Sequence, residues 1–192
     1  MALLIALCVR EGEAFPRKYV PGLRRQVEEH IGPLLCLGDD IPLREGYTGW
    51  WAKMELFSPD NENLRPCLYL DLDTFVLGGC RDMLVPVEKL TMLADFNQPT
   101  RGASGVMLIP EDTGAIWERW LRERPDRDMS HKDGDGGFLR TFPHDYMQDM
   151  FKGIHSYKLD CRAGPRGRMV CFHGKPKPHE TDGWAREIYE TW

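Results

Sequence analysis

The apolar positions of the chain fall into short blocks that sort by period. Residues 2–9 form a continuous apolar run, too short to cross a bilayer and without a basic leader or a cleavage site, so they read as a first strand. Arg10-Glu11-Gly12-Glu13 then forms a loop at its C-terminal end. Residues 19–30 carry apolar side chains at 20, 23, 27 and 31 behind Pro21, the spacing of an amphipathic helix. Residues 34–37 predict a second strand that closes on Gly38-Asp39-Asp40, and residues 49–57, apolar at 50, 51, 54 and 57, predict a helix stopped by Ser58-Pro59. The next block is Cys67-Leu68-Tyr69-Leu70-Asp71-Leu72-Asp73-Thr74. It has the length and residue types of a strand buried on both faces, bounded by Arg65-Pro66 and Gly78-Gly79. Strand, helix, strand, helix, strand is the opening of an α/β sheet, and such sheets bind ligands beyond the carboxyl ends of their strands. Arg10, Asp39, Asp40, Asp71 and Asp73 all fall at that edge.

The second half is less regular. Residues 90–96 and 104–109 predict strands joined by a loop over 97–102, and residues 113–122 an amphipathic helix with Ile116, Trp117, Trp120 and Leu121 inward. The polar stretch 122–137 reads as an exposed loop, 138–142 and 145–151 as short helices, and 154–159 and 169–172 as strands. The last strand delivers His173-Gly174-Lys175-Pro176-Lys177-Pro178-His179. No internal repeat or domain linker interrupts the pattern, and 192 residues suffice for one domain over 1–192 with a real core.

Composition narrows the partners. The net charge of −5 excludes a molecule built as a whole to embrace a polyanion, although it permits local basic clusters. The six cysteines show no C-x-x-C spacing, and four of them lie in apolar runs, which reads as reduced core residues in a cytoplasmic setting.

The chemistry gathers at two strand ends. With a side-chain period of two, Asp71 and Asp73 project to one side with Cα atoms about 6–7 Å apart, close enough to share one hard divalent cation. Each would otherwise raise the other's pKa. For an isolated pair, a strand leaving the core through acidic residues is an equally good reading. Adding His173 gives an oxygen-rich set suited to Mn²⁺ or Mg²⁺, with Lys175 and Lys177 beside it to neutralise a diphosphate. Sugar nucleotides carry that leaving group. A haloacid dehalogenase-like phosphatase is the poorer reading, because Thr74 comes one place too early for the D-x-D-x-T pattern.

In Cys36-Leu37-Gly38-Asp39-Asp40, Gly49-Trp50-Trp51-Ala52-Lys53-Met54-Glu55-Leu56-Phe57, Leu68-Tyr69-Leu70-Asp71-Leu72-Asp73, Ser156-Tyr157-Lys158 and the run from Phe172 to Glu180, taken in order, the chain resembles nucleotide-sugar glycosyltransferases of the GT-A fold. The resemblance is to the family 8-like group of bacteria and phages, and it covers nearly the whole chain. It implies a single Rossmann-like α/β domain with a mixed, mostly parallel central sheet and helices on both faces. It implies Asp71, Asp73 and His173 as metal ligands, Lys53 as a contact to the donor sugar and the first carboxylate, and Lys177 at the donor diphosphate with Lys175 as helper. Arg10 and Asp39 lie where that group holds the nucleoside, a UDP-sugar is its usual donor, and transfer proceeds with retention. Two departures stand out: the usual Gly-Asp-Gln appears as Gly134-Asp135-Gly136, and the usual Asn-Ser as Ala103-Ser104. Asp135 is then the candidate contact to the transferred sugar, and a non-catalytic sugar-nucleotide-binding module is the alternative to an enzyme. The acceptor implied is a glycan or lipid-linked saccharide. The basic cluster Arg162, Arg166, Arg168, Lys175 and Lys177 adds a second acceptor class, a hydroxymethylated base (hydroxymethylcytosine) in phage DNA.

Overall fold

The computed structural model of the chain describes residues 4–11, 15–128 and 133–192. Residues 2 and 3 of the expected first strand, 12 and 13 of the following loop and 129–132 of the polar stretch lie outside the described residues. In chain order the elements are β1 (Ile5–Val9), α1 (Tyr19–His30), β2 (Leu34–Leu37), a 3₁₀ helix (Gly49–Phe57) continued by a second one (Pro59–Leu64), β3 (Cys67–Leu70) and β4 (Thr74–Val76). A 3₁₀ turn (Arg81–Met83), β5 (Thr91–Ala94), β6 (Gly102–Ile109), α2 (Gly114–Glu123), α3 (Pro125–Asp128) and α4 (Gly134–Leu139) follow. The chain closes with β7 (Asp145–Tyr146), α5 (Met147–Met150), β8 (Ile154–Ser156), α6 (Tyr157–Asp160), β9 (Met169–Cys171), a 3₁₀ turn (Pro178–Glu180) and α7 (Trp184–Glu190).

Six strands form the central sheet in the order β2-β1-β3-β6-β5-β7. The pairs β1–β2, β1–β3 and β5–β7 are parallel, and β3–β6 and β5–β6 antiparallel. Strand alternation sorts the core to the two faces. Ala6, Cys8, Leu68 and Leu70 pack with Leu23 and Val27 of α1, whereas Leu7, Cys67 and Tyr69 pack with Met54, Phe57 and Trp120 on the opposite side. A separate three-stranded sheet, β4-β9-β8, carries Phe75 and Val170 into a third cluster with Phe172, Tyr157 and Ala185. All six cysteines are buried and unpaired. No helix among the described residues is long and apolar enough to cross a membrane.

Several expectations are corrected. Residues 49–57 wind as a 3₁₀ helix, so with three residues per turn Trp51, Met54 and Phe57 share the core face while Trp50 turns outward. On α2 the buried stripe is Ile116, Trp117 and Trp120, and Leu121 is exposed. The polar stretch 122–137 is not simply an exposed loop: α4 begins within it and buries every residue from Gly134 to Leu139, including Phe138 and Leu139, which the sequence pattern places in a following helix. Residues 145–151 split into β7 and α5, and 154–159 into β8 and α6, whose first turn is capped by Ser156 Oγ accepting from Leu159 N at 3.2 Å. Finally, β3 ends at Leu70, and Asp71 and Asp73 sit in the turn to β4, closed by Thr74 N donating to Asp71 O at 3.0 Å. The carboxylates are thus set by a turn that switches the chain between sheets, not by strand alternation.

Candidate donor site at the strand ends

The C-terminal ends of β1, β2 and β3 open on one side of the sheet, and the 3₁₀ helix supplies that side's floor. Side chains three apart eclipse in a 3₁₀ helix. Trp50 and Lys53 therefore share a face, and both line a cavity of about 640 Å³ with Val9, Glu11, Phe15, Tyr69, Asp71 and Asp135. The helix entry is tied to β1 by Gly49 N donating to Glu11 Oε2 at 2.8 Å.

Lys53 is only 6% exposed, yet it is a cation between two carboxylates. Its Nζ lies 3.0 Å from Asp71 Oδ1 and 2.9 Å from Asp135 Oδ2, and donates to Ser104 O at 3.3 Å. Burial works against the ammonium charge, but the Asp135 and Asp71 carboxylates outweigh it and hold the Lys53 pKa above the ordinary lysine range. Asp135, 5% exposed, sits in the first turn of α4 and reaches this pair from the far side of the pocket. Asp71 also accepts from Tyr69 Oη at 2.6 Å, and burial, with Asp71 beside it, pushes the Tyr69 phenol well up.

A second cavity, of about 320 Å³, lies across the ridge formed by Asp71, Asp73, Gly174 and Lys177. It is lined beyond them by Asp95, Phe96, Ala103, Asp133 and His173. Asp73 is 2% exposed and paired with Lys177 Nζ. Burial raises its carboxyl to about 6, against the pull of Lys177. His173 stacks on Phe96, with ring centroids 5.4 Å apart, and its Nε2 hydrogen-bonds Ser156 Oγ at 2.7 Å. Burial, helped by Lys158, lowers its pKa.

Asp71, Asp73 and His173 therefore line one cavity, but among the described residues no three His, Cys, Asp or Glu side chains close into a preformed metal cage. The donor chemistry still fits a hard divalent cation: among the described residues lining the larger cavity, Asp71, Asp73 and Asp135 face two ammonium groups, Lys53 and Lys177. A cation shared by Asp71 and Asp73 would compete with Lys177 for Asp73 Oδ2.

Other expected residues lie apart. Arg10 and Asp39 pair with each other at 2.8 Å and line neither cavity, and Lys175 reaches out to Glu180 at 3.1 Å. A Cβ at Gly38, which has φ +101°, would collide with the Arg10 carbonyl oxygen, so a glycine there lets the β2 loop close over the end of β1. Arg168 of the basic cluster is held by Asp82 at 2.6 Å and by Gly79 O at 3.1 Å. Sequence reasoning passed over Glu11, Phe15, Asp95 and Phe96, none of which carries a local signal, and gave Tyr69 no role at the site. Trp50 had one: the spacing of 51, 54 and 57 by threes separates it from the core face.

A likeness to solved structures decides the architecture. The glycosyltransferase GlyE of Streptococcus pneumoniae TIGR4 superposes with a TM-score of 0.62 at 15% identity, covering 97% of this chain and 59% of that one. The fold is that of the GT-A glycosyltransferases. The galactosyltransferase LgtC, solved with donor and acceptor sugar analogs, shares this GT-A fold with a TM-score of 0.60 at 14% identity over 98% of this chain and 96% of its own. A glycosyltransferase involved in glycosylation of the major capsid of PBCV-1 gives 0.59 at 14% identity, covering 98% of both chains. The chain thus spans about three fifths of GlyE but nearly all of the other two. No protein-family model matches the sequence, and no curated protein does.

Proposed function

We propose that the chain is a glycosyltransferase that moves a hexose from a nucleoside-diphosphate sugar, in the first instance a UDP-sugar, to a saccharide hydroxyl in a reducing, cytoplasmic setting. The observation that carries this reading is the pair of cavities at the strand ends, joined along Asp71, Asp73 and Lys177 and floored by the buried Lys53–Asp135 pair. The GT-A fold supports it. Lys53 and Asp135 present a fixed donor and a fixed acceptor to sugar hydroxyls, and charge-assisted hydrogen bonds of this kind orient a polar ligand strongly. Lys177, at the ridge, would donate to diphosphate oxygens on leaving Asp73. Asp71, Asp73 and His173 would hold Mn²⁺ or Mg²⁺, whose chemistry is to take up charge developing on the leaving diphosphate. Retention of the donor's anomeric configuration follows the resemblance, and product NMR showing inversion would remove it.

The test is a panel of sugar nucleotides offered with Mn²⁺ and scored for nucleoside diphosphate release, with and without saccharides and with hydroxymethylcytosine DNA. Release from one donor, enhanced by a saccharide, is expected. Binding without turnover of any donor would make the chain a non-catalytic sugar-nucleotide module. Transfer to the DNA alone would move the acceptor class, a result that the engagement of Arg168 by Asp82 argues against.

A further inference from the structure

The donor cavity has one wall that the ion pairs do not explain. Trp50 is 50% exposed, among the few large apolar side chains of the described residues left so open, and it lines the cavity. It is nevertheless held in place. It follows Gly49, whose φ of +60° starts the 3₁₀ helix, and it stands one turn before Lys53 on the same face. Its indole rests on Gly134: a Cβ there would lie 2.8 Å from the Trp50 Nε1 atom, and the φ of +58° already favours glycine. Gly134 directly precedes Asp135. The indole therefore stands beside both members of the buried Lys53–Asp135 pair, while Val9, Glu11 and Phe15 line the part of the cavity next to β1.

We propose that Trp50 is the platform on which the donor's hexose ring lies, its plane meeting the apolar C–H face of the sugar while Lys53 and Asp135 meet the hydroxyls at the edge. The proposal rests on the donor reading above and deepens it by naming the residue that selects for a sugar on the nucleotide. A pyranose with mostly equatorial hydroxyls presents axial C–H bonds on its faces and hydroxyls around its rim, and a site for it needs a flat apolar wall with charged groups set at its border. Trp50, Lys53 and Asp135 supply that combination on adjoining turns. The exposure of the indole also accounts for its cost: a half-open tryptophan gains less by folding than a buried one, and a ligand that covers it recovers the remainder. Trp50 is a binding and positioning residue here, since no reacting atom is assigned to it.

The experiment compares two probes on three proteins. Calorimetry in Mn²⁺ buffer measures UDP and UDP-hexoses (UDP-glucose and UDP-galactose) against the wild type, Trp50→Phe and Trp50→Ala, with thermal melts to show that each folds. The expected result is that Trp50→Ala weakens the UDP-hexose by about 3- to 10-fold, the range of an aromatic contact, leaves UDP within about twofold, and that Trp50→Phe restores most of the loss. Equal weakening of UDP and UDP-hexose would overturn the proposal by placing the indole on the base. No weakening of either would overturn it by making Trp50 an idle surface residue. If the wild type bound neither probe, nor any other sugar nucleotide, the donor reading itself would fall and this inference with it, an outcome distinct from the other two because there the wild type binds.

Discussion

Replacing Lys53 by methionine tests whether the floor of the larger strand-end cavity is held by charge. Methionine keeps the length and most of the volume of the lysine stem, so the change removes an ammonium and little packing. Lys53 and Asp135 are 6% and 5% exposed, which makes theirs a buried pair, and removing one partner of such a pair costs about 3–5 kcal/mol because the other charge stays behind uncompensated. Asp71 adds little, since its side chain is 35% exposed and keeps the Tyr69 hydroxyl as a donor. The expected loss at pH 7.5 is therefore about 3–5 kcal/mol, against a total of about 5–15 kcal/mol for a domain. Urea unfolding followed by circular dichroism reads this as a lowered midpoint at unchanged slope. Adding Asp135→Asn removes the orphaned charge, so the double variant is expected to be more stable than Lys53→Met alone, with a coupling of about 2–3 kcal/mol. The reasoning fails if Lys53→Met costs less than about 1 kcal/mol or if the second substitution adds to the loss.

The Asp73 carboxyl holds its proton more tightly in the folded chain, with a pKa of about 6, than in the unfolded one, so its contribution is complete below the unfolded value and is lost as pH rises through about 6. Metal-free wild type should lose about 2 kcal/mol from this group between pH 4 and pH 7, and Asp73→Asn should flatten that part of the curve; an unchanged slope in the variant would assign the effect elsewhere. UDP is expected to bind at least tenfold more tightly in Mn²⁺ than in EDTA, with the difference abolished in Asp73→Ala, whereas equal affinities in the two buffers would end the metal reading. Gly22→Ala should destabilise by about 1–3 kcal/mol despite the better helix former, because a Cβ there falls inside the Trp192 indole; thermal melts of Gly22→Ala with and without Trp192→Ala check it, and no rescue by the second change would refute the clash.

The first half of the fold was legible because its periods are clean. Residues 67–70 are apolar at every position and end in carboxylates, and the strand they form is buried on both faces and flanked by β1 and β6. The 3₁₀ winding of 49–57 was missed because apolar residues at 50, 51, 54 and 57 suit an α-helix equally well. The run 51, 54, 57 distinguishes the two only once Trp50 is allowed to leave the core. The second sheet was missed for a different reason. Its strands are three residues long, and what joins β4 to β9 is a pairing of Thr74 with Cys171 that no local pattern encodes.

For the site, location was legible and availability was not. A charged residue at a strand end is visible in the sequence as soon as the strand is. Whether it can meet a ligand depends on which opposite charge the fold brings nearest. Arg10 and Asp39 lie at the expected edge, yet they are 2.8 Å from each other and line neither cavity. Asp135 illustrates the reverse case. It lies in a stretch so polar and glycine-rich that composition alone sends it to the surface, and it is buried because Lys53, 82 positions earlier, meets it at 2.9 Å. Burying either charge alone would cost several kcal/mol, so each one's place in the pocket depends on the other's. Asp73 and Lys177 repeat the arrangement across the ridge. The consequence for the site is that Lys53 and Lys177 are already paired before a ligand arrives, and on the proposed donor reading a diphosphate would gain Lys177 where something else takes over the charge of Asp73. A hard divalent cation at Asp71 and Asp73, as proposed above, would be the exchange that leaves neither of these two carboxylates uncompensated.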